Sequence, residues 1–381
     1  MKPLHHLDNV FYPLGGMGYL IHDLADLYKH KIVGKRKIRL CFSAQPNSHP
    51  HLGTVLTIMV LYAIGEYLQS RLNIPVYVQF DKGEHCLGEK KEVNGVIFSK
   101  RLQDTQIHGI PKADYYMKSF QEIFDRLSDK TSIPYQIKSY EQFQSDPIVR
   151  KVLLQILLNK DRFIPILSPS TNRLHLRVPC PVCKFADKHA KNQSLQVINS
   201  QSVKVINQCF DHGTHEIVIK ANNKKYFEVN TALYDLLLGA YFVETDQAEK
   251  TLTIMVDGGD YAGVWSMLMH GEALIQLGYQ TIPNRLFAPL ILDWSGAKFS
   301  KSLYVRHQAY DHLPKGLVDF SYFQECYGKA GFERLWLEAK DWARSPSKFF
   351  RNYSVDYFRL ILGDGKEQMN AKKTKENSDP S

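Results

Sequence analysis

The stretch IRLCFSAQPNSHPHLGTVLTIMVLYAIGEYLQSRLNIPVYVQF, residues 38–80, decides the fold. Residues 38–44 are apolar and stop at Gln45-Pro46-Asn47-Ser48, a cluster that cannot continue a strand, so a buried strand runs into a loop. From Leu52 to Leu72 helix formers dominate, and Leu56, Met59, Val60, Ala63, Ile64 and Tyr67 recur at i, i+3, i+4 spacing, which predicts a long amphipathic helix. Pro75 then leads into VYVQF, residues 76–80, a second strand. Strand, loop, helix and strand in this order form the β-α-β unit from which doubly wound parallel sheets are built.

Working outward, residues 114–127 and 146–158 carry further helical patterns, and residues 165–230 change character. Turn residues, three cysteines and short alternating runs at 202–206 and 216–219 predict a small β-rich insertion there. The α/β pattern resumes with TLTIMV at 251–256, ending in Asp257-Gly258-Gly259-Asp260, then a helical stretch at 264–277 and a strand at 286–292. The expected division is a Rossmann-like first half at 1–164, a metal-binding insertion at 165–225 and the second half at 226–305. A helical segment follows at 306–365, and a polar, disordered tail at 366–381.

The 381 residues, 44% hydrophobic and 23% charged, are ample for a packed core and suggest two or three domains. Lys and Arg number 48 against 39 Asp and Glu, a net +9 whose field attracts the phosphates of nucleotides or nucleic acid. The densest basic cluster, Lys29, Lys31, Lys35, Arg36, Lys37 and Arg39, reads equally as a nucleic-acid contact and as a solvated loop before a strand. No apolar run approaches bilayer-spanning length, and residues 1–6 lack the order of a signal peptide, so a cytoplasmic protein without a membrane partner is expected. Cys41, Cys86 and Cys326 are isolated, whereas Cys180, Cys183 and Cys209 crowd one region, a usage that suits metal binding in a reducing compartment.

Two segments carry chemistry. In the loop before the helix, His51 and Gly53 fall at the helix N-terminus, where unpaired N–H groups and the positive helix end attract anions, and glycine permits close approach. A Pro-rich turn that merely caps the helix would look the same. Much later, Gly296-Ala297-Lys298-Phe299-Ser300-Lys301-Ser302 is a small, flexible loop. Two ammonium groups closing over a triphosphate would stabilise the charge that develops at the α-phosphorus and on departing pyrophosphate. Alone, it is also an ordinary solvated basic loop.

Together they resemble the two signatures of class I aminoacyl-tRNA synthetases. The His-Ile-Gly-His motif is matched by His51-Leu52-Gly53-Thr54, and the Lys-Met-Ser-Lys-Ser motif by Lys298-Phe299-Ser300-Lys301-Ser302. The resemblance implies a Rossmann-like, doubly wound parallel sheet of the synthetase type, and activation of an amino acid with ATP and Mg2+ to an aminoacyl-adenylate. Transfer to tRNA, or to another aminoacyl acceptor, would follow. It further implies that His51, Lys298 and Lys301 are catalytic. Pro46, Asn47, Gly53, Thr54, Gly258, Gly259, Asp260, Ser300 and Ser302 would surround ATP, the Gly-Gly-Asp segment holding the ribose. Thr54 departs from the motif's second histidine, and its hydroxyl can still donate one hydrogen bond.

Cys180-Pro181-Val182-Cys183, then 25 residues, then Cys209-Phe210-Asp211-His212 makes two ligand pairs. A closed Cys₃His set suits structural zinc, with His215, three residues further, as rival fourth ligand. Its place between the two halves looks like the connective insertion of class I lysyl-tRNA synthetases, and residues 356–362 look like their helix after the signature loop. Those enzymes continue into a helical anticodon-binding domain where this sequence has its polar tail.

The amino acid is expected between the first motif and the strand ends, with Asp81 and Glu84 as ammonium partners and Tyr261 and Trp265 nearby. Lysine is possible, but the lysyl-type tryptophan-rich segment is missing around residues 226–231, where Glu228 and Asn230 read mainly as packing residues. Three functions follow: a tRNA ligase, a free-standing adenylate-forming enzyme serving a small molecule, carrier or protein, or a catalytically silent binding module. The lysine-rich loop argues against the third.

Overall fold

In the computed structural model, which describes residues 10–11, 16–263, 265–299 and 310–363, six strands pair in parallel. They are β1 (Val10–Phe11), β2 (Lys37–Ala44), β3 (Val76–Lys82), β4 (Tyr135–Ser139), β5 (Thr251–Gly258) and β6 (Asn284–Ala288). Their spatial order is β1-β6-β5-β2-β3-β4, every neighbouring pair parallel. From β2 the chain winds one way to β3 and β4, and later the other way through β5 and β6, so the order reverses between β2 and β5. Ligands of doubly wound folds bind outside the strand ends at such a reversal.

The main helices are α1 (Leu52–Leu72), α2 (Lys112–Thr131), α3 (Pro147–Leu158), α4 (Thr231–Ala248) and α5 (Phe323–Arg344). Side chains alternate across the sheet, and its two faces differ in kind. One face presents Leu40, Phe42, Val78, Phe80, Ile254 and Val256 to a fully apolar core shared with α1, α2 and α5. The other carries Arg39, Thr253 and Arg285, each bonded to a residue of α4.

Several expectations change. The helix expected to be amphipathic, α1, is buried on nearly all sides because α5 covers its outer face. By length and composition it could span a bilayer, contrary to the sequence expectation, but 72% of its most apolar window lies inside the fold. The expected helix at 264–277 is a π-helix, Trp265–Ala273, followed by one α-turn, Leu274–Gln276. The strand expected at 286–292 stops at Ala288, and Ile291–Leu292 pairs instead with Tyr353–Ser354. The basic cluster is partly consumed internally: Arg39 is 2% exposed and bound to Glu249 at 3.2 Å, and Lys37 joins the same carboxylate at 3.1 Å. The 366–381 tail lies outside the described residues.

The insertion is β-rich. A three-stranded antiparallel sheet, Gln193–Asn199, Ser202–Cys209 and Gly213–Lys220, stands beside α3. A hairpin that sequence reading passed over, Leu87–Val93 with Val96–Arg101, turns at Asn94 and Gly95, both at positive φ. Ala186–Asp187 of the insertion pairs with it as a third strand.

Candidate active site

At the β2/β5 reversal lies a cleft of about 730 Å³. His51 is the N-cap of α1: its Nδ1 accepts the Gly53 N–H at 3.1 Å, so the ring proton sits on Nε2, 3.4 Å from Thr54 Oγ1. Gly53 favours this pose, since a Cβ there would stand 3.0 Å from the imidazole Cε1, closer than ordinary contact.

Across the cleft, residues 293–299 fold back as a narrow hairpin. Asp293 accepts from the Ser295 N–H at 2.8 Å and the Ala297 N–H at 3.2 Å, Gly296 takes the left-handed conformation at φ +79°, and the Phe299 N–H donates to Ile291 O at 2.8 Å. Phe299 stands edge-on to the His51 ring, centroids 5.6 Å apart. Lys298 Nζ lies 2.5 Å from Asp260 Oδ2 and 5.7 Å from the Tyr261 ring centroid. Gly258 makes room for that carboxylate, because a Cβ there would meet Asp260 Oδ1 at 2.6 Å.

The fold thus brings the His51–Thr54 segment and Lys298–Phe299 to one cleft. Among the expected residues, Asn47, His51, Gly53, Thr54, Gly258, Asp260, Lys298, Asp81 and Tyr261 line it. Three do not. Pro46 is buried beneath the loop, Gly259 continues the turn behind Gly258, and Glu84 turns away to accept the Glu141 N–H at 3.2 Å. Ser300, Lys301 and Ser302 lie outside the described residues, as does the Trp265 side chain. Asn230 caps α4 by accepting the Leu233 N–H at 3.1 Å.

The deep cleft holds groups that sequence reading left out. Arg285 of β6, 2% exposed, bonds Asp235 of α4 at 2.6 Å and Asp257 of β5 at 3.1 Å. His85, from the turn after β3, lines the wall, where burial keeps its imidazole neutral well below the ordinary range. Asp81 accepts from Cys41 Sγ at 2.9 Å and Gln79 Nε2 at 2.8 Å, yet burial still raises its pKa. Asp257 is pushed up to about 6 by burial, against the pull of Arg285. Asp235 and Asp257 share the Arg285 guanidinium, and Asp81 adds a third buried carboxylate to the cleft lining, groups able to receive an ammonium.

In the insertion, the ligand atoms of Cys180, Cys183, Cys209 and His212 all lie within 4.8 Å of one another, a group able to hold a metal ion. Cys183 and Cys209 sulfurs are 3.5 Å apart, and Cys209 Sγ is 3.6 Å from His212 Nδ1. A tetrahedral zinc with Zn–S of about 2.3 Å spaces its sulfurs by roughly 3.7 Å, so the donors fit. His215 is elsewhere, its Nε2 hydrogen-bonded to the Val178 carbonyl at 2.9 Å. Phe210, between the second pair, packs edge-on against Phe98 of the 87–101 hairpin at 4.9 Å, and Leu87, Gly88 and Lys90 of that hairpin form part of the cleft wall.

No family model matches the chain, and neither does any curated protein. Solved structures to which it is similar include the methionyl-tRNA synthetase of Mycobacterium tuberculosis in complex with methionyl-adenylate, at 12% identity and TM-score 0.40, covering 85% of this chain and 68% of that one. The glutamate-tRNA synthetase of Elizabethkingia anophelis is similar at 12% identity and TM-score 0.38, covering 91% and 75%. For the Leishmania major tyrosyl-tRNA synthetase in complex with tyrosinol the figures are 12% and 0.36, and the chain spans 74% of its own length but 34% of that protein.

Proposed function

We propose that this chain is a class I aminoacyl-tRNA-synthetase-like enzyme that activates an amino acid as its adenylate. The observation that carries this reading is the meeting of His51 at the α1 N-terminus with the Lys298–Phe299 segment across one cleft. ATP would lie along the 47–54 loop, with Gly258 and Asp260 beside its ribose. His51 Nε2–H and Lys298 would stabilise charge that develops at the α-phosphorus when a substrate carboxylate oxygen attacks it and pyrophosphate leaves. Lys298 would first exchange its Asp260 partner for phosphate. Mg2+ would neutralise the phosphate oxygens. Asp81 and Asp257 would receive the substrate's ammonium, with Tyr261 alongside.

Transfer to tRNA is the leading second step. Residues 165–225 hold nine Lys and Arg against three Asp and Glu, a positive balance suited to a polyanion. Cys180, Cys183, Cys209 and His212 are read as a structural zinc site: a bound ion would tie the two ligand loops together.

ATP–pyrophosphate exchange with each amino acid, with and without total tRNA, tests the reading. Exchange with one amino acid supports adenylation, and labelled tRNA supports the ligase over a free-standing activator. No exchange under any condition would favour a binding module. Lys301→Ala should lower exchange by roughly 10²- to 10³-fold with ATP affinity little changed, and an unchanged rate would remove the loop from the mechanism.

A further inference from the structure

Asp81 stands at the end of a line of hydrogen bonds that crosses three strands. Cys41 of β2, Gln79 of β3 and Gln136 of β4 lie in one register row, and Asp81 lies two residues further along β3 on the same face, with Ser43 and Lys138 beside it. Gln136 Nε2 donates to Gln79 Oε1 at 2.9 Å, Gln79 Nε2 donates to Asp81 Oδ1 at 2.8 Å, and Cys41 Sγ donates to Asp81 Oδ2 at 2.9 Å. Cys41 and Gln79 are 2% exposed and Asp81 3%, and of the four residues only Asp81 lines the cleft.

Each carboxylate oxygen therefore takes one neutral donor, which fixes the plane of the group and leaves a lone pair on each oxygen for a further partner. Burial raises the Asp81 carboxyl, while Cys41 and Gln79, and at longer range Lys138 and Arg39, act to lower it. Among the described residues no salt bridge reaches Asp81. Two neutral donors orient a negative charge without neutralising it, which is what a site for an ammonium group requires. The Cys41 thiol is held well above its ordinary range by burial and by the Asp81 charge, so it stays protonated and serves Asp81 as a donor. Gln136 occupies the Gln79 carbonyl oxygen and so turns the Gln79 amide nitrogen toward Asp81.

We propose that Cys41 and Gln79 are positioning residues that aim the Asp81 carboxylate at the ammonium group of the substrate, with Gln136 setting the Gln79 amide from the exposed edge of the sheet. This rests on the adenylation reading of the cleft and deepens it. Affinity for the amino acid is set in part by three side chains that lie outside the cleft lining and act through Asp81.

The probe is an equimolar mixture of the protein amino acids, read on the full chain by pyrophosphate exchange and, independently of chemistry, by thermal shift. Gln79→Met and Cys41→Ala should each raise the apparent KM for the mixture about tenfold, the worth of one neutral hydrogen bond, with kcat and KM for ATP unchanged. Cys41→Ser restores a donor and should bring KM back to within about threefold of wild type. A packing role predicts instead that a hydroxyl among the apolar neighbours of Cys41 does no better than alanine. Gln136→Met, at an exposed position, should raise KM about threefold and serves where the buried replacements do not fold. Serine no better than alanine, or losses that fall equally on KM for ATP, would overturn the positioning role. Exchange whose KM is unmoved by Gln79→Met and Gln136→Met would overturn it too and keep adenylation. Where exchange is absent, thermal stabilisation by the mixture that weakens in these variants keeps the positioning role and overturns adenylation, and absence of both exchange and stabilisation overturns both.

Discussion

Arg285 joins three elements through one guanidinium, and nothing in the sequence announces it. It sits in Asn284-Arg285-Leu286, where a strand reading naturally begins at Leu286 because the two preceding side chains are polar. Its partner Asp257 yields a pH prediction. A carboxyl group whose pKa is higher in the folded chain than its unfolded value of about 4 favours folding while protonated. That stability is present below pH 4 and is lost as pH rises through about 6, the folded value for Asp257. Asp257→Asn keeps the protonated shape, so urea denaturation should show the wild type losing stability relative to this variant between pH 4 and 7, by on the order of 2 kcal/mol. Parallel pH profiles would mean that Arg285 holds Asp257 ionised throughout.

Helix α4 and the π-helix approach so closely that glycine is required between them. His270 is fully buried, with its Nε2 3.1 Å from the Asp235 carbonyl, and a Cβ on Gly239 would come within 2.6 Å of that nitrogen. Gly239→Ala should therefore destabilise the chain by about 1–3 kcal/mol despite the better helix propensity of alanine, read as a lower urea midpoint; a rise would mean that the two helices separate freely. At this scale the 38–80 unit was legible, because its turn residues and apolar runs agree with one another. The helix at 264–277 was legible as a helix but not as a π-helix, since apolar periodicity does not fix the hydrogen-bond step. The 87–101 hairpin was hidden by charge, Glu89, Lys90, Lys91 and Glu92 filling its first strand, although Asn94-Gly95 is a strong hairpin turn signal. The polar sheet face was hidden too: alternation marks which residues share a face, whereas partners such as Asp246 and Asp235 come from a distant helix.

For the molecule as a whole, the cysteine-rich insertion and the cleft share a wall. Both ligand pairs, Cys180/Cys183 and Cys209/His212, were plain in the sequence, but their contact with the hairpin through Phe210 and Phe98 required the fold. If the Cys₃His group holds zinc, the protein should carry one zinc per chain by elemental analysis. After chelation, hydrogen exchange should quicken across 87–101 and 176–220 while α1 remains protected. Protection unchanged in every segment would assign the cysteines no structural ion. The sheet order has a further consequence, for synthesis. β2 is flanked by β3, close behind it in the chain, and by β5, which leaves the ribosome only after the whole insertion has been made. Until then the nascent chain carries an open parallel edge at the centre of its future sheet, with Arg39 awaiting Glu249. The first half can collapse early, but the central sheet is completed only once β5 has been made, late in synthesis.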